Sequence, residues 1–470
     1  MAKKIKLNGL RILTAFVLFF VLIGTSGAGD AIPGQGEKNS EYLELEWKFK
    51  TGDDVKSSPA VTEDRIYAGS DDNYLYCLNK TTGELIWKFE TGGYVESSPA
   101  VSENYVYVGS DDNYVYCIDK DTGELIWKFQ TRFIVRSSPV VSENYVYVGS
   151  DDEYVYCIDK NTGEAKWKFK AGGNVRSSPA VPGNVYIGSN DKYIYCLYRD
   201  SGELKWKFRT GHVVKSTPAI SGDYVYFISW DNYIYCLDMD TGKLKWKFKT
   251  GHAPMSSPAV SGDYVYVGSN NNYIYCLNKN TGEFKWKFKP GGDLFSSPVV
   301  SGNYVYVVSG DNHICCIDKN TGEEIWKFKP GGDLFSPPRI SGNYVYIGSL
   351  DGYVYSFIFK EKEYLEKIEQ QKAEEEEKAK EEEEKQETVE EEEVEEEEVE
   401  TGEPEEVEEE VEEDVETGEH EVEEKEHFET GEQKSSEEEI ETGYNIVDMG
   451  LIITAVILII LILIFLKQRK

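Results

Sequence analysis

The chain has 470 residues and a formal net charge of −36, and 40% of its residues are hydrophobic. Nearly all of the charge lies in residues 361–441, which hold 43 acidic residues and 8 lysines, while the remainder is close to neutral. This distribution excludes a generally acidic globular surface, and the lack of a basic footprint argues against nucleic-acid binding.

The N-terminal segment has the three-part layout of a secretory signal peptide. A basic stretch (residues 3–11) precedes an apolar run (residues 12–23), and small residues follow it. This pattern predicts a signal peptide over residues 1–28 and an exported protein. Because no cysteine lies near the cleavage site, we expect no lipoprotein anchor.

Tryptophans recur at a nearly constant spacing through the middle of the chain, 40 residues apart except for one interval of 39. Within one unit, residues 97–129, four short runs of β-branched and aromatic residues are separated by turn clusters, which predicts four antiparallel strands. The eight tryptophans are Trp47, Trp87, Trp127, Trp167, Trp206, Trp246, Trp286 and Trp326.

Both alternating sets of side chains in these runs are apolar, so each small sheet needs a cover on both faces. Four-stranded sheets of this length predict an all-β fold, an eight-bladed β-propeller over residues 41–360. The last unit lacks an outer strand and the strand around Trp47 has no unit before it, so we expect the N-terminal strand to close the last blade. An open solenoid is the alternative, and it would leave two exposed edges.

The repeated run Cys-x-Asp-x-x-Thr-Gly-Glu-x-x-Trp, as in Cys117 to Trp127, resembles the tryptophan-docking motif of the pyrroloquinoline quinone (PQQ)-like repeat propellers. The resemblance covers residues 45–359. It implies that the eight tryptophans pack between neighbouring blades and that the Thr-Gly turns are structural. Among such propellers, the chain resembles most the non-enzymatic outer-membrane-assembly type, which lacks PQQ and acts through protein contacts.

Seven of the eight cysteines occupy one equivalent position per blade. Because packed sheets lie about 10 Å apart and disulfide partners need Cα atoms within about 7 Å, we expect buried free thiols. The eighth, Cys315, precedes Cys316. The resemblance implies an alternative for this pair, since quinoprotein alcohol dehydrogenases carry a vicinal disulfide over the cofactor, but replacement of a repeat tyrosine by cysteine is the favoured interpretation.

The same resemblance raises an enzyme alternative, a PQQ-dependent dehydrogenase. Such an enzyme implies a catalytic Asp, calcium ligands and long roofing loops, whereas the blades here have no insertions. The repeated Ser-Asp-Asp-Asn turns lack the spacing and distal Glu of a calcium loop, and the histidines form no triad pattern. We therefore expect no catalytic residue, no metal site and no cofactor.

Positions at which the repeats disagree are the candidate binding residues. The residue before each Ser-x-Pro run is expected to line the mouth of the central channel, basic over several blades and apolar over the last three; ordinary drift at solvent-facing positions is the alternative. These ring residues are Lys56, Glu96, Arg136, Arg176, Lys215, Met255, Phe295 and Phe335. Further departures expected on the same rim are Arg132, Phe133, His212, Trp230 and His252. Such a polarised mouth is suited to a peptide, a glycan or a small anion.

The C-terminal part predicts a stalk and an anchor. Residues 361–445 are expected to form an acidic stalk that is partly helical and otherwise disordered. Residues 446–466 are apolar enough for a transmembrane helix, and the basic tail 467–470 is expected in the cytoplasm. We therefore expect an outward-facing protein of a prokaryotic, archaeal envelope that binds a protein or cell-envelope partner as an adhesion, scaffold or assembly factor.

Overall fold

The computed structural model describes residues 42–252, 256–294 and 296–399, with side chains as far as residue 382. The predicted signal peptide, membrane helix and basic tail lie outside these residues. Two of the ring positions, Met255 and Phe295, also lie outside them.

The described chain between residues 43 and 359 forms eight small antiparallel sheets, the blades of a propeller. The innermost strands are β2 (Ala60–Val61), β6 (Ala100–Val101), β10 (Val140–Ser142), β17 (Ala219–Ser221), β21 (Ala259–Ser261), β25 (Val299–Ser301) and β29 (Arg339–Ser341). The second strands are β3 (Arg65–Gly69), β7 (Tyr105–Gly109), β11 (Tyr145–Gly149), β14 (Val185–Gly188), β18 (Tyr224–Ser229), β22 (Tyr264–Ser269), β26 (Tyr304–Ser309) and β30 (Tyr344–Gly348).

The outer half of each blade contains a longer pair of strands. The third strands are β4 (Tyr74–Asn79), β8 (Tyr114–Asp119), β12 (Tyr154–Asp159), β15 (Tyr193–Leu197), β19 (Tyr233–Asp238), β23 (Tyr273–Asn278), β27 (His313–Asp318) and β31 (Tyr353–Phe359). The outermost strands are β1 (Leu43–Lys50), β5 (Leu85–Glu90), β9 (Leu125–Gln130), β13 (Ala165–Lys170), β16 (Leu204–Arg209), β20 (Leu244–Lys249), β24 (Phe284–Phe288) and β28 (Glu324–Phe328).

The ring closes between the two ends of the repeat array. β1 pairs antiparallel with β31, with Trp47 opposite Ser356, so the N-terminal strand supplies the outermost strand of the eighth blade. The hydroxyl of Thr51 donates to the carbonyl of Gly352 at 2.8 Å, which adds a second link. The N-terminal strand therefore supplies the outermost strand that the last unit lacks, as predicted from the sequence. The third strand of the eighth blade consequently has no unpaired edge.

The fourth blade departs from the four-stranded pattern. Its innermost strand is reduced to one bridge between Ala180 and Tyr186, because the turn around Pro182 and Gly183 is one residue shorter than in the other blades. This deletion accounts for the single 39-residue interval between tryptophans. The remaining three strands of the blade, β14, β15 and β16, pair in the usual order.

The core is divided into layers between neighbouring blades. In one layer, Tyr107, Cys117 and Trp127 of the second blade pack against Val146 and Tyr156 of the third, and all of them are buried. The second and third strands therefore bury both of their faces, as the doubly apolar runs predict. Layers of this kind repeat around the ring and provide the burial that holds the blades together.

Each outer tryptophan docks onto the next blade. The Trp127 Nε1–H donates to the carbonyl of Lys160 at 3.0 Å, and the buried Tyr107 hydroxyl contacts the same carbonyl at 3.4 Å. Gly163, in the Thr-Gly turn of the third blade, lies directly against the Trp127 ring, where an added Cβ would come within 2.8 Å. The tryptophans and Thr-Gly turns are therefore structural, as the resemblance implies.

The seventh blade ends this series differently. Trp326 is fully buried, but its Nε1–H has no protein acceptor in the described residues, because the eighth unit lacks the Thr-Gly turn. Phe359 packs against the Trp326 ring at 5.7 Å between centroids in its place. The Tyr364 ring in turn lies 6.1 Å from that of Phe359 and 5.3 Å from that of Tyr42.

Tyr364 belongs to the first turns of helix α1 (Glu361–Val399), so this helix begins in contact with the last blade. Its sequence is strongly acidic, and its described side chains are mostly exposed. No helix in the described part of the chain has the length and apolar character needed to cross a membrane.

The eight cysteines are buried free thiols. Burial raises the pKa of Cys117 to about 12, so this thiol stays protonated at neutral pH. Cys315 and Cys316 lie on opposite sides of β27, because successive residues of a strand alternate: Cys315 packs in the layer toward the sixth blade and Cys316 in the layer toward the eighth.

Candidate functional site

The rim residues singled out from the sequence lie on one face of the propeller. This face, here called the mouth face, consists of the loops that lead from one blade's outermost strand to the next blade's innermost strand, together with the turns between second and third strands. Antiparallel order places both sets at the same end of the blade. The two sets are tied directly, since the Gly52 N–H donates to the Asp72 carboxylate at 2.6 Å.

The second Asp of each Ser-Asp-Asp-Asn turn braces this face. Asp72 also accepts from the backbone of Tyr74 at 3.0 Å and from the Tyr76 hydroxyl at 2.6 Å. Asn73, at the end of the turn, has a φ of 73°, a conformation that asparagine tolerates. The turn therefore has a structural reason, and the described residues contain no cluster of three His, Cys, Asp or Glu side chains suited to a metal ion.

The ring residues of the first three blades form a chain of ion pairs. Lys56 Nζ lies 2.6 Å from Asp71 and 3.7 Å from Glu96, and Glu96 lies 3.1 Å from Nε of Arg136. Arg136 closes the chain with a bidentate contact to Asp111, at 2.7 Å for the shortest pair. The hydrogen bond to Asp71 raises the pKa of Lys56, and burial raises the pKa of Glu96.

The basic character expected for this part of the ring is therefore largely neutralised. The first Asp of each turn supplies the counter-charge, and Arg176 is likewise paired with Asp151 at 2.7 Å. These partners were not predicted from the sequence, because the Ser-Asp-Asp-Asn segments were assigned only to turn formation. The signal was present, since the first Asp occurs in the first three blades and is replaced in the others.

Lys215 is the exception among the described basic ring residues, because its Nζ forms no ion pair with a carboxylate in the described part of the chain. Trp230 occupies the turn position that is Asp in the first three blades, and Lys215 Nζ lies 4.0 Å from the centroid of the Trp230 ring. His212 stacks on the same ring, with centroids 6.1 Å apart and an interplanar angle of 20°. The structure thus brings together three of the predicted rim residues.

Trp230 is partly exposed at the rim. The remaining described rim residues, Arg132, Phe133 and His252, are exposed on the same face. Arg132 is held by its backbone N–H, which donates to Asp152 at 2.8 Å, so its guanidinium is not needed to fix the loop.

Three large aromatic side chains project from the mouth face into solvent. Phe133 is 56% exposed, Phe335 45% and Tyr94 48%. Phe133 and Phe335 were predicted from breaks in the repeat, whereas Tyr94 was missed because it sits among the glycines of an otherwise ordinary loop. Exposed aromatic rings of this size are typical contact residues of protein interfaces.

The Ser-Ser-Pro runs have a structural reason. The backbone N–H of Ser58 donates to the Ser98 hydroxyl at 3.0 Å, and that of Ser98 donates to the Ser138 hydroxyl at 2.9 Å. The same bond recurs from Ser138 to Ser178, from Thr217 to Ser257 and from Ser257 to Ser297. These serines therefore link consecutive innermost strands around the channel and are not candidates for catalysis.

A cluster in the seventh blade contains Ser, Asp and His but lacks the order of a triad. Asp311 accepts from Ser309, lies 3.2 Å from His313 Nδ1 and lies 3.1 Å from Lys327 Nζ. Because the serine hydroxyl faces the carboxylate and not the histidine, the imidazole is not placed to accept its proton. The cluster is better explained as a local ion pair that replaces the tyrosine contact of the other blades.

The cysteine pair does not fit the clamp that a quinone cofactor would require. Cys315 and Cys316 are both fully buried and belong to different inter-blade layers. Neither thiol can therefore lie over a ring bound at the channel.

A cavity of about 400 Å³ opens on the opposite face, in the fourth blade, where the shortened turn meets the turn after β15. Tyr198 lines it and is 47% exposed. Arg199, also in the lining, pairs with Glu143 of the third blade at 2.7 Å. The cavity follows from the deletion, because Asn184 takes the position at which the neighbouring blade has Tyr145.

Comparison with known families matches both halves of the propeller. Residues 44–150 and 111–229 match the family described as "Outer membrane protein assembly factor BamB". Residues 182–377 match the family described as "Beta-alanine-activating enzyme, beta-propeller". No curated protein matches the chain.

Solved structures share the fold at low sequence identity. BamB from Moraxella catarrhalis has a TM-score of 0.60 and 20% identity, covering 67% of this chain and 100% of that chain. The computationally designed Ika8 protein has a TM-score of 0.60 and 18% identity, covering 67% and 98%. A europium-containing methanol dehydrogenase has a TM-score of 0.59 and 15% identity, covering 68% and 94%.

The eight blades and the docked tryptophans define the class: the chain is an eight-bladed β-propeller whose repeats are similar to those of the PQQ-like family. Its repeats are similar to those of BamB. At these identities the similarity to the methanol dehydrogenase shows the fold alone.

Proposed function

We propose that this protein is a non-enzymatic scaffold of the cell envelope that binds a protein partner through its mouth face. In this proposal the propeller faces outward, the acidic segment spaces it from the membrane, and the C-terminal apolar segment anchors it. The match to an outer-membrane assembly factor supports the scaffold role, and the N- and C-terminal sequence patterns support the placement.

The observation that carries the proposal is the group of exposed aromatic rings at the mouth face, Tyr94, Phe133 and Phe335. They lie on the same face as a channel rim whose charges are mostly paired internally. Aromatic side chains beside satisfied ion pairs provide apolar contact area at a small desolvation cost, which favours a protein surface as the ligand. The blades lack the long loops that position catalytic groups in enzymes of this fold.

The proposal predicts that removal of these rings abolishes partner capture. A variant with Tyr94→Ser, Phe133→Ser and Phe335→Ser is compared with a matched variant, Leu45→Ser, Leu85→Ser and Leu125→Ser, whose leucines are 44–45% exposed on the outermost strands. Crosslinked pull-downs from the source cell envelope are quantified by mass spectrometry. We expect the partner to be depleted at least about tenfold by the mouth variant only, and equal recovery with both variants would contradict the assignment of this face.

The enzyme alternative is tested in parallel. The propeller is incubated with PQQ and calcium, and the quinone absorbance and alcohol-dependent dye reduction are measured. We expect neither signal. Alcohol-dependent dye reduction that requires the propeller, PQQ and calcium together would overturn the non-enzymatic part of the proposal.

A further inference from the structure

At Lys215, the mouth face lacks the acidic partner that the other described basic ring residues have. Lys56, Arg136 and Arg176 each contact an Asp of a nearby turn at 2.6–2.7 Å. Lys215 has no such partner among the described residues. The Asp151 carboxylate acts on Lys215 only at longer range, since it is paired with Arg176. A partly buried cation without a direct carboxylate contact is stabilised when a ligand supplies an anion.

The backbone around Lys215 and Trp230 is hydrogen-bonded as in the first blade, so the two blades differ here in the side chain at position 230. The Trp230 N–H donates to the carbonyl of Val213 at 3.0 Å, as the Asp71 N–H donates to Asp54 at 2.9 Å. Trp230 therefore occupies the place that Asp71 has beside Lys56, and its ring offers Lys215 a cation–π contact at 4.0 Å. The turn position from which Asp111 and Asp151 contact the arginines of the next blade is Asn190 in the fourth blade, so that position supplies no carboxylate either. Such a contact holds the ammonium group in position without neutralising it.

A second cation lies close enough to affect Lys215. Burial, followed by the charge of Arg176, lowers the pKa of Lys215. Arg176 contacts Asp151 through its Nε and Nη2 atoms, which leaves its Nη1 side outside that pair. A carboxylate bound beside Lys215 would therefore relieve the repulsion between the two cations.

We propose that the mouth between the fourth and fifth blades binds a carboxylate of an acidic peptide, with Lys215 and Arg176 as the cationic contacts. The Trp230 ring positions the ammonium group, and His212, stacked on that ring, borders the site. The inference rests on the proposed function and specifies the chemistry of the partner segment that enters the mouth. Charge-assisted hydrogen bonds to a carboxylate are the strong contacts of such a site.

The test uses Trp230→Asp, which restores the pattern of the first three blades and gives Lys215 a carboxylate within the chain. Binding of fluorescein-labelled hexaglutamate to the full chain is measured by anisotropy at low salt, with labelled hexalysine as the charge control. We expect Trp230→Asp and Lys215→Met each to weaken hexaglutamate binding at least about tenfold. Trp230→Phe keeps the ring, so we expect a change of less than about threefold.

Thermal unfolding of each variant separates binding from folding. We expect Trp230→Asp to melt within a few degrees of the parent protein, since the added ion pair offsets part of the lost ring contacts. A melting temperature in that range shows that its loss of binding does not arise from misfolding. Hexaglutamate affinity unchanged in both Trp230→Asp and Lys215→Met would overturn the inference.

Two further outcomes identify what has failed. A peptide with the sequence of residues 401–416, in the same assay, determines whether the acidic segment of this chain supplies the carboxylate; binding that depends on Lys215 supports the site in either case. If hexaglutamate binding does not depend on Lys215 while partner capture still requires the exposed aromatic rings, the carboxylate site is wrong and the proposed function stands.

Discussion

The Thr-Gly turns require glycine because a tryptophan ring of the preceding blade lies directly against that residue. Gly123 has a φ of 77°, and a Cβ built on it would lie 2.8 Å from Cδ2 of the Trp87 ring. The left-handed backbone conformation and the close approach of the tryptophan ring each favour glycine at this position. A glycine elsewhere in the propeller has the first feature without the second, so the two effects on stability can be measured separately. Gly222 has a φ of 57° but no atom within 4 Å of an added Cβ.

Gly123→Ala and Gly222→Ala are therefore a matched pair. We expect Gly222→Ala to lower the free energy of unfolding by about 1 kcal/mol, the cost of a left-handed alanine. Gly123→Ala adds an overlap with Trp87, so we expect a total of about 3 kcal/mol. Urea unfolding followed by tryptophan fluorescence measures both, and equal losses would contradict the account of tryptophan docking.

Residue-scale contacts were the least predictable from the sequence. The pairing of Arg136 with Asp111 joins two blades, and the sequence does not state which turn of a neighbouring blade a ring residue faces. Trp230 was singled out as a rim residue because it breaks a turn pattern, but its contact with Lys215 was not predicted. The charge pairing at the mouth face therefore depends on how neighbouring blades are placed, which cannot be read from the sequence of a single repeat.

The element that determines whether the ring is closed is β1. It pairs with β31 along its length, and Trp47 within it donates to the carbonyl of Lys80 in the first blade at 3.0 Å. One strand therefore joins the eighth blade to the first blade. The elements themselves were predictable, because four apolar runs bounded by turn residues recur in each unit. The reduced innermost strand of the fourth blade was not predictable, because the number of strand hydrogen bonds lost through a one-residue deletion depends on how the blade packs.

Truncation tests the role of β1. A chain that begins at residue 52 lacks β1, and we expect its melting temperature to fall by at least about 10 °C relative to a chain that begins at residue 42. A synthetic peptide of residues 42–51, added in trans, is expected to restore part of the loss. Identical melting curves for the two chains would show that closure does not depend on this strand.

At the scale of the whole molecule, the repeated contacts form a frame, and several differences between blades lie on the mouth face. Tryptophan docking, serine links and Asp braces recur in most blades, so they belong to the frame. The exposed rings of Tyr94, Phe133 and Phe335 and the Lys215 site lie on the mouth face. The exposed Tyr198 lies on the opposite face, and the exposed Phe284 lies on an outermost strand. An asymmetric face on a nearly symmetric frame is the structural basis for assigning partner binding there.

The most direct test of this account is site-specific photo-crosslinking in intact cells. The photoreactive residue p-benzoylphenylalanine replaces Phe133 on the mouth face or, in a matched variant, Ile126 on an outermost strand, where the native side chains are 56% and 43% exposed. The account predicts a discrete crosslinked envelope protein from position 133 and none from position 126. A discrete product from position 126 alone would contradict it.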